Sequence, residues 1–176
     1  MKRSRVSSSL TGGTGDVNPQ WLKATVLQTG ADTTTTATIV LPVTRLASPA
    51  NPTIIEVLKV YWILTNQAEV DSTQTGHLST KNFDTTAISG FIEPSDIDAV
   101  YWTDKITTSG QFANFQPIEH DLTDGMGHGV LVATDNLYLQ LASASTSAAN
   151  RASVWILYRF KRVNVQEYIG IVQSQQ

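Results

Sequence analysis

The chain has 176 residues, with 12 Lys+Arg against 15 Asp+Glu and no cysteine. That length suits one domain with a core of its own, and the missing thiols exclude a disulfide framework, a thiol nucleophile and metal sites built on thiolates. Charged residues make up 15% of the chain, against about 25% for an average soluble domain; 23 Thr and 15 Ser fill the deficit. With 41% apolar residues and a net charge of −3, intrinsic disorder is excluded for the chain as a whole.

Residues 1–20 form a separate segment. Lys2, Arg3 and Arg5 are followed by Ser7–Ser9, Gly12-Gly13-Thr14-Gly15 and Asn18-Pro19. Nothing in this stretch can bury a core, so it reads as a flexible basic arm ahead of a body spanning 21–176. No apolar region follows the basic residues, so a secretory signal is not expected. No apolar run reaches the length that spans a bilayer, and no membrane partner is expected.

From Trp21 onward, strand signals dominate. Trp21–Thr29 reads as a strand ending in a Gly30-Ala31-Asp32 turn. Thr33–Leu46 is rich in branched side chains, which favour pleated sheet, and Pro42 predicts an edge, bulge or strand end. Ile54–Leu64 is the strongest core strand. Strict alternation puts Ile55, Val57, Lys59, Tyr61 and Ile63 on one face and Ile54, Glu56, Leu58, Val60, Trp62 and Leu64 on the other. Both faces are largely apolar, which predicts a central strand, with a buried helix as the competing reading.

Thr73–Thr80 and Thr85–Phe91 read as short strands. Pro94–Asp98 either opens a helical turn capped by Ser95 or precedes a strand over Asp98–Thr107. Asp124-Gly125-Met126-Gly127 is turn chemistry, and Gly129–Ala133 is a strand. In Asn136–Ala142, Leu137, Leu139 and Leu141 share a face. Ser143–Asn150 is a loop, and Arg151–Val163 is a long strand with Val154, Ile156, Tyr158 and Phe160 on one face; by proximity these two strands form a hairpin. The period then changes: Val165, Tyr168, Ile169 and Val172 stand at helical spacing behind a capping-box-like Asn164/Glu167 pair, predicting a short helix. The sum is an all-β fold, an eight-stranded jelly-roll β-sandwich with a flexible N-terminal arm and a short C-terminal helical segment.

Catalytic signatures are missing. Glu119–His128 is dense in polar residues, but its spacing matches no established zinc or calcium loop and reads as a solvated loop. No G-x-S-x-G elbow accompanies His77, His120 or His128. The carboxylate pairs Asp96/Asp98 and Asp121/Asp124 read as turn residues. Gly12–Gly15 lacks the lysine of a phosphate-binding loop. A non-enzymatic protein without metal or cofactor is expected.

Two basic clusters remain: Lys2, Arg3 and Arg5 in the arm, and Arg159, Lys161 and Arg162 near the end of the last strand. Together they read as a candidate contact for a nucleic-acid backbone. The ion-poor, Thr/Ser-rich composition suits a subunit covered by its own copies, because charges are costly to desolvate and short neutral side chains lose little entropy on burial. Val165, Tyr168, Ile169 and Val172 are the candidate self-assembly residues. A carbohydrate-binding jelly-roll module is the alternative, with exposed tryptophans stacking on sugars; Trp21, Trp62, Trp102 and Trp155 are, however, expected in the core.

Leu10–Gln20, the Thr-rich run Ala31–Thr38, Pro42–Arg45, Glu56–Val60, His120–Gly125, Tyr158–Lys161 and Glu167–Gln175, taken in this order, resemble the small single-jelly-roll capsid proteins of environmental circular single-stranded DNA viruses. The resemblance implies an icosahedral shell subunit in the virion, made in a host cell, with itself and viral nucleic acid as partners and a host surface receptor as a further one. It also implies an interior N-terminal arm and a Ser143–Asn150 loop at one end of the barrel, where subunits meet. Related capsids often carry a long Arg-rich arm; this one has three basic residues, too few to neutralise a genome alone.

Overall fold

The computed structural model describes residues 18–41, 52–65, 72–83, 95–104 and 117–175. Nine strands and one helix lie among them: β1 (Gln20–Leu27), β2 (Thr35–Val40), β3 (Thr53–Thr65), β4 (Ser72–Ser79), β5 (Asp96–Asp104), β6 (Ile118–Asp121), β7 (Val130–Val132), β8 (Asn136–Ala144), β9 (Arg151–Arg162) and α1 (Val165–Ser174). One sheet runs β1-β9-β3, with β6 and β7 both on the far edge of β3; the other runs β2-β8-β4-β5. All strand pairs are antiparallel.

β6 pairs with Lys59–Trp62 and β7 with Ile55–Val57, both antiparallel to β3. They are two halves of one edge strand, interrupted by the loop at 122–129. Counted so, the sandwich has eight strand positions, four per sheet, as a jelly roll requires. The expected eight-stranded jelly roll is the fold observed.

The core follows from alternation. Leu137, Leu139 and Leu141 of β8 face Val154, Ile156 and Tyr158 of β9 across the sandwich, and all six are buried. Each large apolar side chain so buried contributes about 1.5–3 kcal/mol. Their strands nevertheless belong to different sheets, which corrects the expected β8–β9 hairpin. Alternation is the same for a hairpin and a crossover. Two strands whose apolar faces must oppose one another satisfy it by sitting in opposite layers.

β3 departs from strict alternation. Ile55 and Val57 point into the core, and so do Val60, Trp62 and Leu64. The register on β9 shifts between Val57 and Lys59, so Leu58 is the extra residue of a β-bulge that reverses parity. The strand is central, as expected, and the helical reading is excluded. At 96–104, the strand prevails over a turn capped by Ser95.

β1 begins at Gln20, inside the segment expected to be the arm; residues 1–17 lie outside the described residues, as do the expected strand over Thr85–Phe91 and residues 42–51, Pro42 among them. α1 spans the predicted residues. Asn164 caps it, its side chain accepting the Glu167 N–H at 2.8 Å. No described helix is long and apolar enough to cross a membrane.

Candidate functional site

The outward face of the β1-β9-β3-β6 sheet carries the most unusual chemistry among the described residues. Inward positions on β1 are Leu22, Ala24 and Val26, and on β9 Val154, Ile156, Tyr158 and Phe160. Strand parity therefore points Trp21 and Lys23, Trp155, Arg159 and Lys161 outward. Beyond the bulge, Lys59 and Tyr61 also point outward, opposite Asp121 and Glu119 of β6.

Trp21, Tyr61 and Trp155 form a cluster on this face. The Trp21 ring lies 5.4 Å from Tyr61 and 6.4 Å from Trp155, tilted by 59° and 70°. The Lys23 ammonium sits 3.9 Å from the centre of the Trp155 ring, a cation–π contact. Trp21 remains 47% exposed and Trp155 41%. This corrects the expectation that both belong to the core. Trp62 is the contrasting case: fully buried, with its indole N–H donating to Asp98 Oδ2 at 2.6 Å. The polar tip of a buried Trp needs such a partner.

An ion network edges the aromatic cluster. Lys59 Nζ lies 2.8 Å from Glu119 and 3.3 Å from Asp121. Hydrogen bonds to these two carboxylates, Glu119 first, raise the Lys59 pKa above its usual value. Partial burial, together with a hydrogen bond to Glu119, raises that of Tyr61.

The strand-end basic cluster lies farther along the same face. Glu56, fully buried, sits opposite Arg159. Its carboxylate meets Arg159 Nε at 2.5 Å, the Gly129 N–H at 3.1 Å and Lys161 Nζ at 3.7 Å. Burial alone would raise the Glu56 pKa; the Arg159 and Gly129 hydrogen bonds and the charges of Lys161 and Arg159 outweigh it, and the pKa falls below the usual carboxylate value. Arg159 also donates to the Gly127 carbonyl at 3.2 Å. Arg159 and Lys161 are thus gathered on one carboxylate, while Arg162 is exposed at the strand end. Lys2, Arg3 and Arg5 lie outside the described residues.

The remaining polar candidates are structural in their contacts. Asp124 accepts the N–H groups of Met126 and His128 at 2.9 and 2.8 Å, which shapes the 122–129 loop. Asp98 Oδ1 lies 2.7 Å from His120 Nδ1, and Asp96 Oδ2 lies 2.7 Å from His77 Nδ1 in the interior. Among the described residues no three metal-ligating side chains converge.

α1 presents Val165 and Ile169 at 44% and 49% exposure and buries none of its residues. Its C-cap residue fastens it. The Gln175 side chain donates to Leu131 O at 2.5 Å and accepts from Ala133 N at 3.0 Å, so one amide group pairs with the free edge of β7 as a neighbouring strand would. At one end of the barrel, the turn after β1 and the loop after β8 are tied together. Gln28 donates to the Thr33 carbonyl and accepts from Ser143 and the Asn150 N–H, both at 3.0 Å. Asp32, at φ 52°, accepts the Thr146 N–H at 2.8 Å.

This topology defines a jelly-roll β-sandwich. Solved structures similar to it include the capsid protein VP1 of several polyomaviruses. Merkel cell polyomavirus VP1, as an unassembled pentamer, matches with a TM-score of 0.51 and 10% identity over 86% of this chain and 98% of that one. Human polyomavirus 12 VP1 in complex with 3'-sialyllactosamine matches at 0.50 and 13%, over 83% and 99%. VP1 of trichodysplasia spinulosa-associated polyomavirus with GM1 oligosaccharide matches at 0.50 and 10%, over 86% and 96%. Identities this low establish a shared fold. The sequence matches no protein-family model and no curated protein.

Proposed function

We propose that the chain is a non-enzymatic viral capsid subunit that associates with copies of itself into a closed icosahedral shell around a nucleic-acid genome, as a component of the virion. The observation that carries this reading is α1: an amphipathic helix whose apolar side chains, Val165 and Ile169, stay open to solvent on an ion-poor jelly roll. Exposed apolar patches on such a body mark surfaces that another protein covers. Val165, Tyr168, Ile169 and Val172 are the proposed contact, and a second copy is the proposed partner. The capsid fold of the VP1 structures and the VP1 pentamer support it, and so does the resemblance to the circular single-stranded DNA virus capsids. Lys2, Arg3, Arg5, Arg159, Lys161 and Arg162 are proposed to face the packaged genome.

Sedimentation of the purified full chain tests the reading. A large closed particle is expected. Removing residues 164–176 should abolish the closed particle and leave the sandwich folded, because the helix buries none of its own residues; larger species that form after the deletion should be irregular, since Gln175 no longer covers the β7 edge. A monomer at all concentrations overturns the reading.

A second reading, a carbohydrate-binding module or receptor-binding capsid, draws on the sialylated ligand of Human polyomavirus 12 VP1 and on the exposure of Trp21 and Trp155. Glycan-array binding by a monomeric chain favours the module; binding by particles favours the receptor role.

A further inference from the structure

We propose that the outward face of β1, β9 and β3 is a stacking platform for the bases of single-stranded nucleic acid. The proposal rests on the capsid reading for its setting and goes beyond it by naming the surface and the strandedness of the partner.

Three observations carry it. Large aromatic rings are normally buried, yet Trp21 and Trp155 stand about half open on an otherwise well-packed sandwich. The Trp21 ring is tilted against both Tyr61 and Trp155 rather than stacked on either, so neither pair is closed face to face. Aromatic side chains on adjacent strands of a sheet can stack successive unpaired bases, each of which has a π-face. The bases of a duplex are already stacked and cannot reach them.

Charge is the second observation. Parity places five basic side chains on this face, Lys23, Lys59, Arg151, Arg159 and Lys161, against three acidic ones, Glu56, Glu119 and Asp121. The face is therefore basic on a chain whose net charge is −3. Lys23 already rests on the Trp155 ring at 3.9 Å, where a cation occupies the place a base would take. On binding, the base displaces the ammonium, which turns to a phosphate.

Continuity is the third. In the β1–β9 register Trp21 lies opposite Leu157, between Trp155 and Arg159 along β9. The outward row thus runs from aromatic to basic toward the strand end. That is also the end at which β1 begins, with Gln20 opposite Tyr158.

The test titrates the full-length protein with a labelled oligothymidylate of about 20 nucleotides, and in parallel with an abasic deoxyribose-phosphate oligomer of equal length. W21A/W155A should weaken oligothymidylate binding by between about tenfold and a thousandfold, and binding of the abasic oligomer little. W21F/W155F should recover most of the loss, which reports stacking rather than misfolding. K23Q should lower the slope of affinity against salt by about one. Equal loss with both oligomers, or none with either, overturns the platform. So does W21A/W155A that abolishes particles but leaves oligothymidylate binding intact, since the face is then a contact between copies. So does displacement of the oligothymidylate by sialyllactose, which makes the platform a sugar site. Trp-dependent binding by a chain that never forms particles supports the platform while refuting the shell.

Discussion

Glu56 Oε2 on β3 lies 2.5 Å from Arg159 Nε on the neighbouring β9, where register places the two residues side by side. The carboxylate is fully buried and the guanidinium largely so. Desolvating such a pair is expensive, and the Coulomb gain offsets it only when the other lone pairs are satisfied. Here the Gly129 N–H and Lys161 supply them. The same carboxylate fixes three things at once: the strand-end basic cluster, the start of β7 and, through Arg159 and the Gly127 carbonyl, the loop between β6 and β7.

E56Q is therefore expected to destabilise the protein by about 3–5 kcal/mol at neutral pH, the usual cost of leaving one partner of a buried pair uncompensated. The Glu56 pKa is lowered in the fold. Its contribution is then present above the usual carboxylate pKa, near 4.5, and is lost as pH falls through the lower folded value. Urea midpoints of wild type and variant should differ at pH 7 and converge on acidification. A difference that persists in acid refutes the assignment.

Two glycines sit where a methyl group has no room. A Cβ on Gly76 would lie 2.7 Å from the Trp62 ring and 3.0 Å from Val100. One on Gly129 would lie 2.0 Å from the Val57 carbonyl oxygen. Side chains can yield where backbone cannot. G76A should cost about 1–3 kcal/mol by overpacking, and G129A more, because β7 must move off β3. Thermal melts rank them; G76A costing more than G129A contradicts the packing argument.

The inward rows were legible from the sequence because alternation and burial agree: Leu137, Leu139 and Leu141 are an unbroken apolar row with polar neighbours. α1 was legible for a similar reason, since Asn164 and the four apolar positions give both its start and its period. β3 was legible as a strand but not by face, because a bulge at Leu58 reverses parity and nothing local announces it in a run apolar on both sides. Residue type alone puts Trp21 and Trp155 in the core; parity against Val154 and Ile156 places Trp155 outside and is the better signal. The Glu56–Arg159 pair was beyond reach, since it depends on which strands lie side by side. The same ignorance of neighbours made a hairpin of β8 and β9.

The tie between the two barrel-end loops should behave as one unit. Q28A removes the acceptor for Ser143 and for the Asn150 N–H, and the donor to the Thr33 carbonyl. The loss should be about 1–3 kcal/mol, since buried polar groups are left without partners. Hydrogen exchange should quicken at Asn150 and also at Thr146, whose N–H is held by Asp32 across the same gap. Faster exchange at Asn150 alone would mean that the two bonds are independent.

Gln175 supports the last prediction. Its amide occupies Leu131 O and Ala133 N on the outer side of β7, so a side chain covers an edge that would otherwise offer unpaired backbone groups. Exposed edges template pairing with other chains. Q175A leaves the sandwich core untouched and should have little effect on its melting temperature. It should, however, free α1 from its C-terminal attachment and open the β7 edge. The expected result is irregular aggregation under conditions where the parent chain does not aggregate, read by light scattering. Q175E tests the geometry further: a carboxylate still accepts from Ala133 N but repels the Leu131 carbonyl, so it should behave like Q175A. A Q175E variant indistinguishable from the parent would show that the edge is protected by something other than this amide.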